Sequence, residues 1–537
     1  MKKSKQGKTK QIEIAVFIEK IVFIYTMGLI CGLPLIVHQR YIDILRTKGN
    51  YFLGITVTMI LLVVLIGIAY WVISGLRLHR SVLLNMRKSM SYTDYFVLLF
   101  AIVCTISFIL NGNKSATFWG SNGRRVGYGV LAACVVMYFI VSRYFIYHQA
   151  VMSGILLSGA GVILVAVLNH LGWDPLHMFV EMTRDSKRIT TIGNRNTFAS
   201  YLSLFAAVVM TAFVINKERL SKILYGSSCL LAFMGAVASN SESIVLVLAV
   251  ITWVLLYYVV SKKEEMKQFF ILVILFGIAM KAMKILRMIR ELDCWKLDGA
   301  FKYLVDGKAA YYFIIVGAVG LIVCKRRKTE VSDNRVIRVW RRWFLLTTVV
   351  GTIGIIAVSI WGTFHFSKQE AKEVLGAGYK YLYLEDAWGS NRIRVWKVAS
   401  RTFEKMELQQ KIVGYGPAGF YYAVKELLPA AEYTFTQGVV MDAHNEALQM
   451  LVTLGAIGMI SYFGIFLSAL GSWIKSSKEQ DSTKSVWLYV MVVIAFLVQG
   501  ILNNPNIVIL PLLFMTIGIG EAEKRRKKMK NTKIRRF

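Results

Sequence analysis

The stretch YFLGITVTMILLVVLIGIAYWVISG, residues 51–75, carries no charged side chain. A run of about twenty apolar residues is the length that an α-helix needs to cross the hydrocarbon layer of a bilayer. Because that layer offers no hydrogen bonds to exposed backbone groups, such a run has to be helical. The segment therefore predicts a transmembrane helix.

Similar runs recur along the 537 residues, of which 56% are hydrophobic and 18% charged. This composition is far more apolar than that of a soluble domain. We predict an all-α polytopic membrane bundle of about 12–14 spans, in which residues 267–286 are the weakest span because Lys281 and Lys284 interrupt it. The candidate spans are residues 13–37, 51–75, 92–110, 126–147, 151–170, 195–215, 222–239, 243–260, 267–286, 309–324, 343–365, 447–473, 485–502 and 507–521.

Basic residues cluster in alternate connections, at the N-terminus, around residues 325–342 and in the C-terminal tail. Under the positive-inside rule this pattern predicts a multi-pass protein of the cytoplasmic membrane with both termini cytoplasmic. The net charge of +33 then reflects topology and contact with anionic lipids, and we expect no nucleic acid partner. The predicted division is an N-terminal bundle (1–365), a large extracytoplasmic loop (366–446), C-terminal transmembrane helices (447–521) and a basic cytoplasmic tail (522–537).

The loops predicted outside hold the unusual polar residues, in the motifs FWGSNGRR (118–125), GNRN (193–196), GSNRIRVW (389–396), GYGPAGF (414–420) and DAHNE (442–446). Arginine presents a planar fork that matches phosphate oxygens. A histidine in the first turn of a helix is kept neutral by the helix dipole, and neutral imidazole can accept a proton from a hydroxyl. Together these residue types indicate transfer of a group from a lipid diphosphate to an acceptor hydroxyl.

Each of these residues also has a simpler interpretation. Arginines in outer loops bind lipid headgroups, and aromatic residues beside them anchor the interface. On this interpretation His444 is an ordinary residue at a helix start and Asp442 is the N-cap of that helix. The glycines of residues 414–420 then only form turns.

Four of the segments resemble the O-antigen ligase and polymerase family: GNRNTFASYL (193–202), RIRVW (392–396), the Gly-Tyr-Gly-Pro run and HNEALQMLVTLGAIG (444–458). The resemblance extends over roughly residues 118–520. It implies a membrane bundle of the glycosyltransferase C type with a large extracytoplasmic loop. It also implies transfer of a glycan from undecaprenyl pyrophosphate to a lipid, sugar or protein acceptor, without a nucleotide sugar, a required metal or another cofactor. For this chain we expect a polysaccharide, lipid or cell-wall acceptor.

Carried over position by position, the resemblance makes His444 and Arg392 the catalytic residues. The residues expected to bind pyrophosphate or glycan are Arg124, Arg125, Arg188, Asn194, Asn196, Asn445 and Glu446. Two positions depart from the family: Glu242 stands where an arginine is frequent, and Arg195 where a proline is frequent. Their roles are left open by the sequence.

Two further questions stay open at this stage. A ligase and a polymerase differ in the acceptor, and the lysine-rich composition favours cell-wall or capsular polysaccharide as the product. A transporter or flippase of lipid-linked glycans is the alternative from another class, since charged residues inside spans, such as Lys281 and Lys284, are common in transporters. The absence of a clear internal repeat and the long loop with a single histidine favour the enzyme.

Overall fold

The computed structural model of the chain describes residues 2–73, 90–120, 124–179, 188–290, 294–326, 334–435, 438–477 and 485–534. In these ranges nearly all regular structure is α-helical, apart from short 3-10 turns and two antiparallel pairs of two-residue strands, β1 (Arg188–Ile189) with β2 (Gly193–Asn194) and β3 (Thr434–Phe435) with β4 (Gly438–Val439). The helices are α1 (Lys2–Leu35), α2 (Ile44–Ile73), α3 (Tyr92–Leu110), α4 (Lys114–Trp119), α5 (Tyr128–Tyr144), α6 (Ala150–His170), α7 (Arg195–Ile215), α8 (Arg219–Ser239), α9 (Glu242–Val259), α10 (Lys263–Ile289), α11 (Gly299–Asp306), α12 (Ala309–Arg326), α13 (Asn334–His365), α14 (Lys368–Leu375), α15 (Tyr379–Leu382), α16 (Trp388–Lys405), α17 (Leu408–Val413), α18 (Phe420–Leu427), α19 (Ala430–Tyr433), α20 (Glu446–Ser476), α21 (Val486–Leu502) and α22 (Ile509–Ile534).

The membrane-spanning character of the chain is confirmed. Eleven of the described helices are long and apolar enough to cross a membrane, and α5 and α21 are shorter apolar helices. Every predicted span coincides with a helix, and the fourteenth, α22, is apolar in its first half only. The weakest predicted span, α10, is among the eleven. Lys281 and Lys284 lie near its end and donate to the backbone carbonyls of Gly307 and Asp306 at 2.9 and 3.3 Å.

The bundle is built around α7, whose apolar window is 89% buried, with α8, α9 and α21 packed against it. Helix α13 is the opposite case, with 6% of its window buried. It contacts α9 through a stacked pair, Trp253 and Phe344, and a 2.8 Å hydrogen bond from the Trp253 indole to Thr348. A helix that is apolar on all sides and so little covered by protein is suited to contact lipid.

The loop segment, residues 366–445, folds into a small domain of short helices over one end of the bundle, called here the loop end. Its core includes Val398, Phe420 and Val424 and is closed by Val452 of α20. At this contact α20 is interrupted by Gly455 with φ 69°, and the carbonyls of Val452 and Thr453 accept the N–H groups of Tyr415 and Gly416 at 3.0 Å.

The glycines in this contact are needed for close backbone approach. A Cβ at Gly414 would lie 2.2 Å from the Thr453 carbonyl oxygen, and one at Gly455 would lie 2.4 Å from that of Ile412. The Gly-Tyr-Gly-Pro run therefore serves to dock the loop segment onto α20, in the manner of a turn.

At the other end of the bundle, the first residues of the basic tail belong to α22 and pair with acidic residues. Asp94 is fully buried at the start of α3 and contacts Arg143 at 2.9 Å and Arg525 at 2.6 Å. Arg526 contacts Glu19 at 3.1 Å. These ion pairs fix the C-terminal helix against α1, α3 and α5.

Candidate functional site

Two charged side chains and a histidine from two distant segments meet at the loop end. Asp442 is 8% exposed, and its Oδ2 accepts a hydrogen bond from Nε of Arg124 at 2.9 Å. Its Oδ1 accepts the backbone N–H of His444 at 3.3 Å and lies 3.3 Å from Nδ1 of the same histidine. Burial acts to raise the pKa of Asp442, but Arg124 and His444 outweigh it and hold the pKa below its usual range. Asp442 is therefore a carboxylate.

His444 lies outside the helix that follows it. The N-cap of α20 is Asn445, whose side-chain oxygen accepts the N–H of Leu448 at 3.0 Å, and His444 precedes it with φ 46°. The expectation of a histidine in the first helical turn is wrong, as is that of Asp442 as the N-cap, because the asparagine side chain takes the capping position. Burial lowers the pKa of His444, Asp442 opposes this, and the cations of Arg124 and Arg392 add to the lowering. The lowered pKa favours a neutral imidazole, and partial burial of the ring is its first cause.

Arg392 is fixed by backbone carbonyls from two elements. It follows a left-handed turn of Gly389, Ser390 and Asn391 inside α16, with φ between 58° and 69°. Its Nη1 donates to the Gly389 carbonyl at 2.6 Å and its Nε to that of Leu502, the last residue of α21, at 2.8 Å. Burial lowers the pKa of this guanidinium, which also interacts with the charges of Glu242, Arg124 and Asp442.

Glu242, whose role the sequence left open, ties the bundle to the loop segment. Its Oε1 accepts hydrogen bonds from Nζ of Lys380 at 2.8 Å and from the hydroxyl of Tyr381 at 3.1 Å. Burial, followed by the charge of Glu242, raises the pKa of Tyr381 to about 12. Gly299 lies against this carboxylate with φ 52°, and a Cβ there would be 1.9 Å from Oε1. The Glu242 carboxylate also interacts electrostatically with Arg392, which links it to the cluster formed by Arg124, Arg392, Asp442 and His444.

Three other residues that were predicted to bind pyrophosphate or glycan interact with neighbouring residues of the protein. The side chain of Asn445 caps α20 and also donates to the Ile501 carbonyl at 3.0 Å. Glu446 is 2% exposed and accepts the hydroxyl of Tyr462, inside the bundle. Arg125 has φ 58° and interacts with the charge of Arg46.

The predicted residues of the GNRN region lie at the start of α7. Arg188 pairs with Asn194 in the β1–β2 hairpin. Asn194 is the N-cap of α7 and accepts the N–H of Asn196 at 2.8 Å, and the side chain of Asn196 accepts the Ser241 hydroxyl at 2.9 Å. Arg195, the second open position, donates from Nε to the Ser239 carbonyl at 2.9 Å. The start of α7 is thus connected by the Asn196–Ser241 hydrogen bond to the residue that precedes Glu242.

A small open cleft lies beside the cluster, with Arg124 and Asp442 among the residues that line it. Sequence reasoning missed two polar residues that line it, Gln449 and Asn504. Gln449 is part of the HNEALQ motif, which was a signal for it. Asn504 lies in the sequence Asn-Asn-Pro-Asn between two spans, and no sequence feature distinguishes it from the neighbouring asparagines.

One family model matches part of the chain. The family model described as O-Antigen ligase matches residues 304–463, a range that contains Arg392, Asp442 and His444 together with the whole loop segment. No curated protein matches the chain. This match supports assigning the chain to the O-antigen ligase/polymerase family of membrane proteins.

Proposed function

We propose that this protein is a membrane glycosyltransferase that transfers a glycan from undecaprenyl pyrophosphate to an acceptor hydroxyl at the membrane face covered by the loop segment. The observation that carries the proposal is the cluster of His444, Asp442, Arg124 and Arg392 inside or against the family domain. It combines a neutral imidazole with two guanidinium groups, which is the chemistry that the transfer needs.

His444 is the general base in this proposal. The proposal puts the proton on Nδ1, which lies 3.3 Å from the Asp442 carboxylate without a hydrogen bond to it, and so leaves the lone pair of Nε2 for the acceptor hydroxyl. The hydroxyl oxygen bonds to the anomeric carbon as its proton passes to Nε2. Asp442 then stabilises the imidazolium, as a carboxylate beside a histidine base does in other enzymes.

The arginines act on the leaving group. The bond between the anomeric carbon and the pyrophosphate oxygen breaks, and undecaprenyl pyrophosphate departs with the bonding electrons. Fixed cations near the departing oxygens stabilise that charge without reorganisation. Arg124 bonds Asp442 through Nε, and within the described residues its two terminal nitrogens have no hydrogen bond, which supports a role in pairing with phosphate oxygens.

The orientation follows the same proposal. Both termini are cytoplasmic in the cytoplasmic membrane, and residues 366–446 are extracytoplasmic between the bundle of residues 1–365 and the helices of residues 447–521. The acceptor is a growing polysaccharide chain for a polymerase, or a separate lipid or cell-wall molecule for a ligase. We propose the ligase reaction, in the synthesis of cell-wall or capsular polysaccharide, with the polymerase reaction as the alternative.

The test is reconstitution in liposomes with a lipid-linked glycan, followed by analysis of the glycan product. His444→Ala should abolish transfer, since a general base contributes roughly 10²- to 10⁴-fold. His444→Gln, which can orient a hydroxyl but cannot take its proton, should be nearly as inactive. His38→Ala is the matched control, because His38 also faces a carboxylate, Asp43, at 3.0 Å but lies in a different connection. Transfer by both His444 variants at the wild-type rate would contradict the proposal.

A further inference from the structure

The connection between α21 and α22 contains three asparagines that are all buried at the loop end. Asn503 donates to the Ser243 hydroxyl at 3.3 Å. Asn506 accepts the N–H groups of Val508 and Ile509 at 3.1 and 3.2 Å. Asn504 differs from both: it is 8% exposed, and neither its Oδ1 nor its Nδ2 has a hydrogen-bond partner among the described residues.

A buried amide without a partner destabilises a fold, because both of its polar atoms have lost their hydrogen bonds to water. Buried polar groups in native proteins are nearly always satisfied, so an exception calls for an explanation such as a ligand that completes the bonds. Asn504 therefore marks a position where the fold keeps an amide for something other than its own stability.

Asn504 lines the cleft that Asp442 and Arg124 also line. Gln449 contributes a second amide: its Oε1 accepts the N–H of Ala443 at 2.9 Å, while its Nε2 donates to no described residue. The remaining lining is largely apolar and includes Pro417, Met441, Met450 and Pro505.

This combination fits a sugar ring. Adjacent hydroxyls, or an acetamido group, present a donor and an acceptor side by side, which matches the C=O and N–H₂ of one amide. Prolines and methionines give an apolar surface for the C–H face of the ring. An anionic ligand fits less well at Asn504 itself, because the Asp442 carboxylate lies in the same cleft.

We propose that the cleft is a sugar subsite in which Asn504, assisted by Gln449, recognises hydroxyl or acetamido groups of the transferred glycan. The inference rests on the proposed function and adds a specificity-determining residue to it. Asp442 has one carboxylate oxygen on Arg124 and the other toward His444, so a sugar in this cleft lies next to the reacting groups.

The experiment compares Asn504→Leu with the wild type in liposomes, using a lipid-pyrophosphate-linked glycan prepared from the membranes of cells that make the protein. We expect KM for this donor to rise by about tenfold or more, as for the loss of one or two hydrogen bonds. Thermal stability in detergent should be unchanged or higher, because leucine removes an unpaired buried amide. Asn506→Leu is the matched control, and it should lower stability because it removes two hydrogen bonds at the start of α22.

The two proposals fail in different ways. A wild-type protein that transfers no glycan would overturn the proposed function. A wild-type protein that transfers glycan, together with an Asn504→Leu variant of unchanged KM, would overturn the sugar subsite alone. A loss of stability in Asn504→Leu equal to that in Asn506→Leu would also overturn it, because the amide would then serve the fold.

Discussion

Replacing Arg392 with lysine tests whether the geometry of the guanidinium matters beyond its charge. The guanidinium of Arg392 donates to two carbonyl oxygens, those of Gly389 at 2.6 Å and Leu502 at 2.8 Å. The single ammonium of lysine cannot occupy both nitrogen positions, so at least one bond is lost. A hydrogen bond to a charged group contributes about 1.5–3 kcal/mol. If the bridge orients the site, we expect transfer to fall by roughly tenfold to a hundredfold.

The same loss should appear in the stability of the protein, because both carbonyls belong to the fold. We expect a lower melting temperature in detergent for Arg392→Lys, along with the slower transfer. Arg401→Lys is the control: Arg401 lies in the same helix and pairs with Glu432 at 3.0 Å, but 64% of its side chain is exposed. Such surface pairs contribute about 0–1 kcal/mol. Equal rates and equal melting temperatures in the two variants would refute the reasoning.

Three further predictions use other features of the loop end. A cysteine introduced on an exposed face of α16 should react with a membrane-impermeant reagent on intact cells, and one in the first turn of α13 should not; the reverse result would overturn the orientation. Glu242→Lys should slow transfer because it places a cation opposite Lys380, and adding Lys380→Glu should restore much of the rate. A double variant as slow as Glu242→Lys would show that the Glu242–Lys380 ion pair does not determine the transfer rate. Asp442 raises the pKa of His444, whose neutral form is the base, so activity is lost as pH falls through that pKa. In Asp442→Asn the acidic limb of the pH–rate profile should move to lower pH while the maximal rate drops; a limb that moves upward would contradict this.

The fold could be predicted because it is set by local composition. Each span is a contiguous apolar run, so its position follows from length and charge alone. Even Lys281 and Lys284, which weakened one prediction, left the helix in place, since their flexible side chains reach carbonyls of the next connection. The internal structure of the loop segment could not be predicted in this way, because its small core forms only against Val452 of α20.

The site could be predicted only in part, for the same reason. His444 and Arg392 stand in recognisable motifs, whereas their partners depend on contacts between distant segments. Arg124 and Asp442 are separated by 318 positions in the chain. Glu242 meets Lys380 across 138 positions. His444 lies outside the helix, with a left-handed backbone, because Asn445 is the N-cap. Asp and Asn are both favoured at N-caps, so the sequence alone does not decide between Asp442 and Asn445.

The end of α21 explains why these pieces form one site. The last carbonyls of a helix have no partner inside it, and they attract positive charge because of the helix dipole. In this protein the Leu502 carbonyl accepts Arg392 at 2.8 Å and the Ile501 carbonyl accepts the side chain of Asn445 at 3.0 Å. The same helix end thus anchors the arginine from the loop segment and the residue next to His444. The groups proposed to stabilise the leaving group and to take the proton are held in fixed relation by two neighbouring carbonyls, so a change that shifts the end of α21 should alter both functions together.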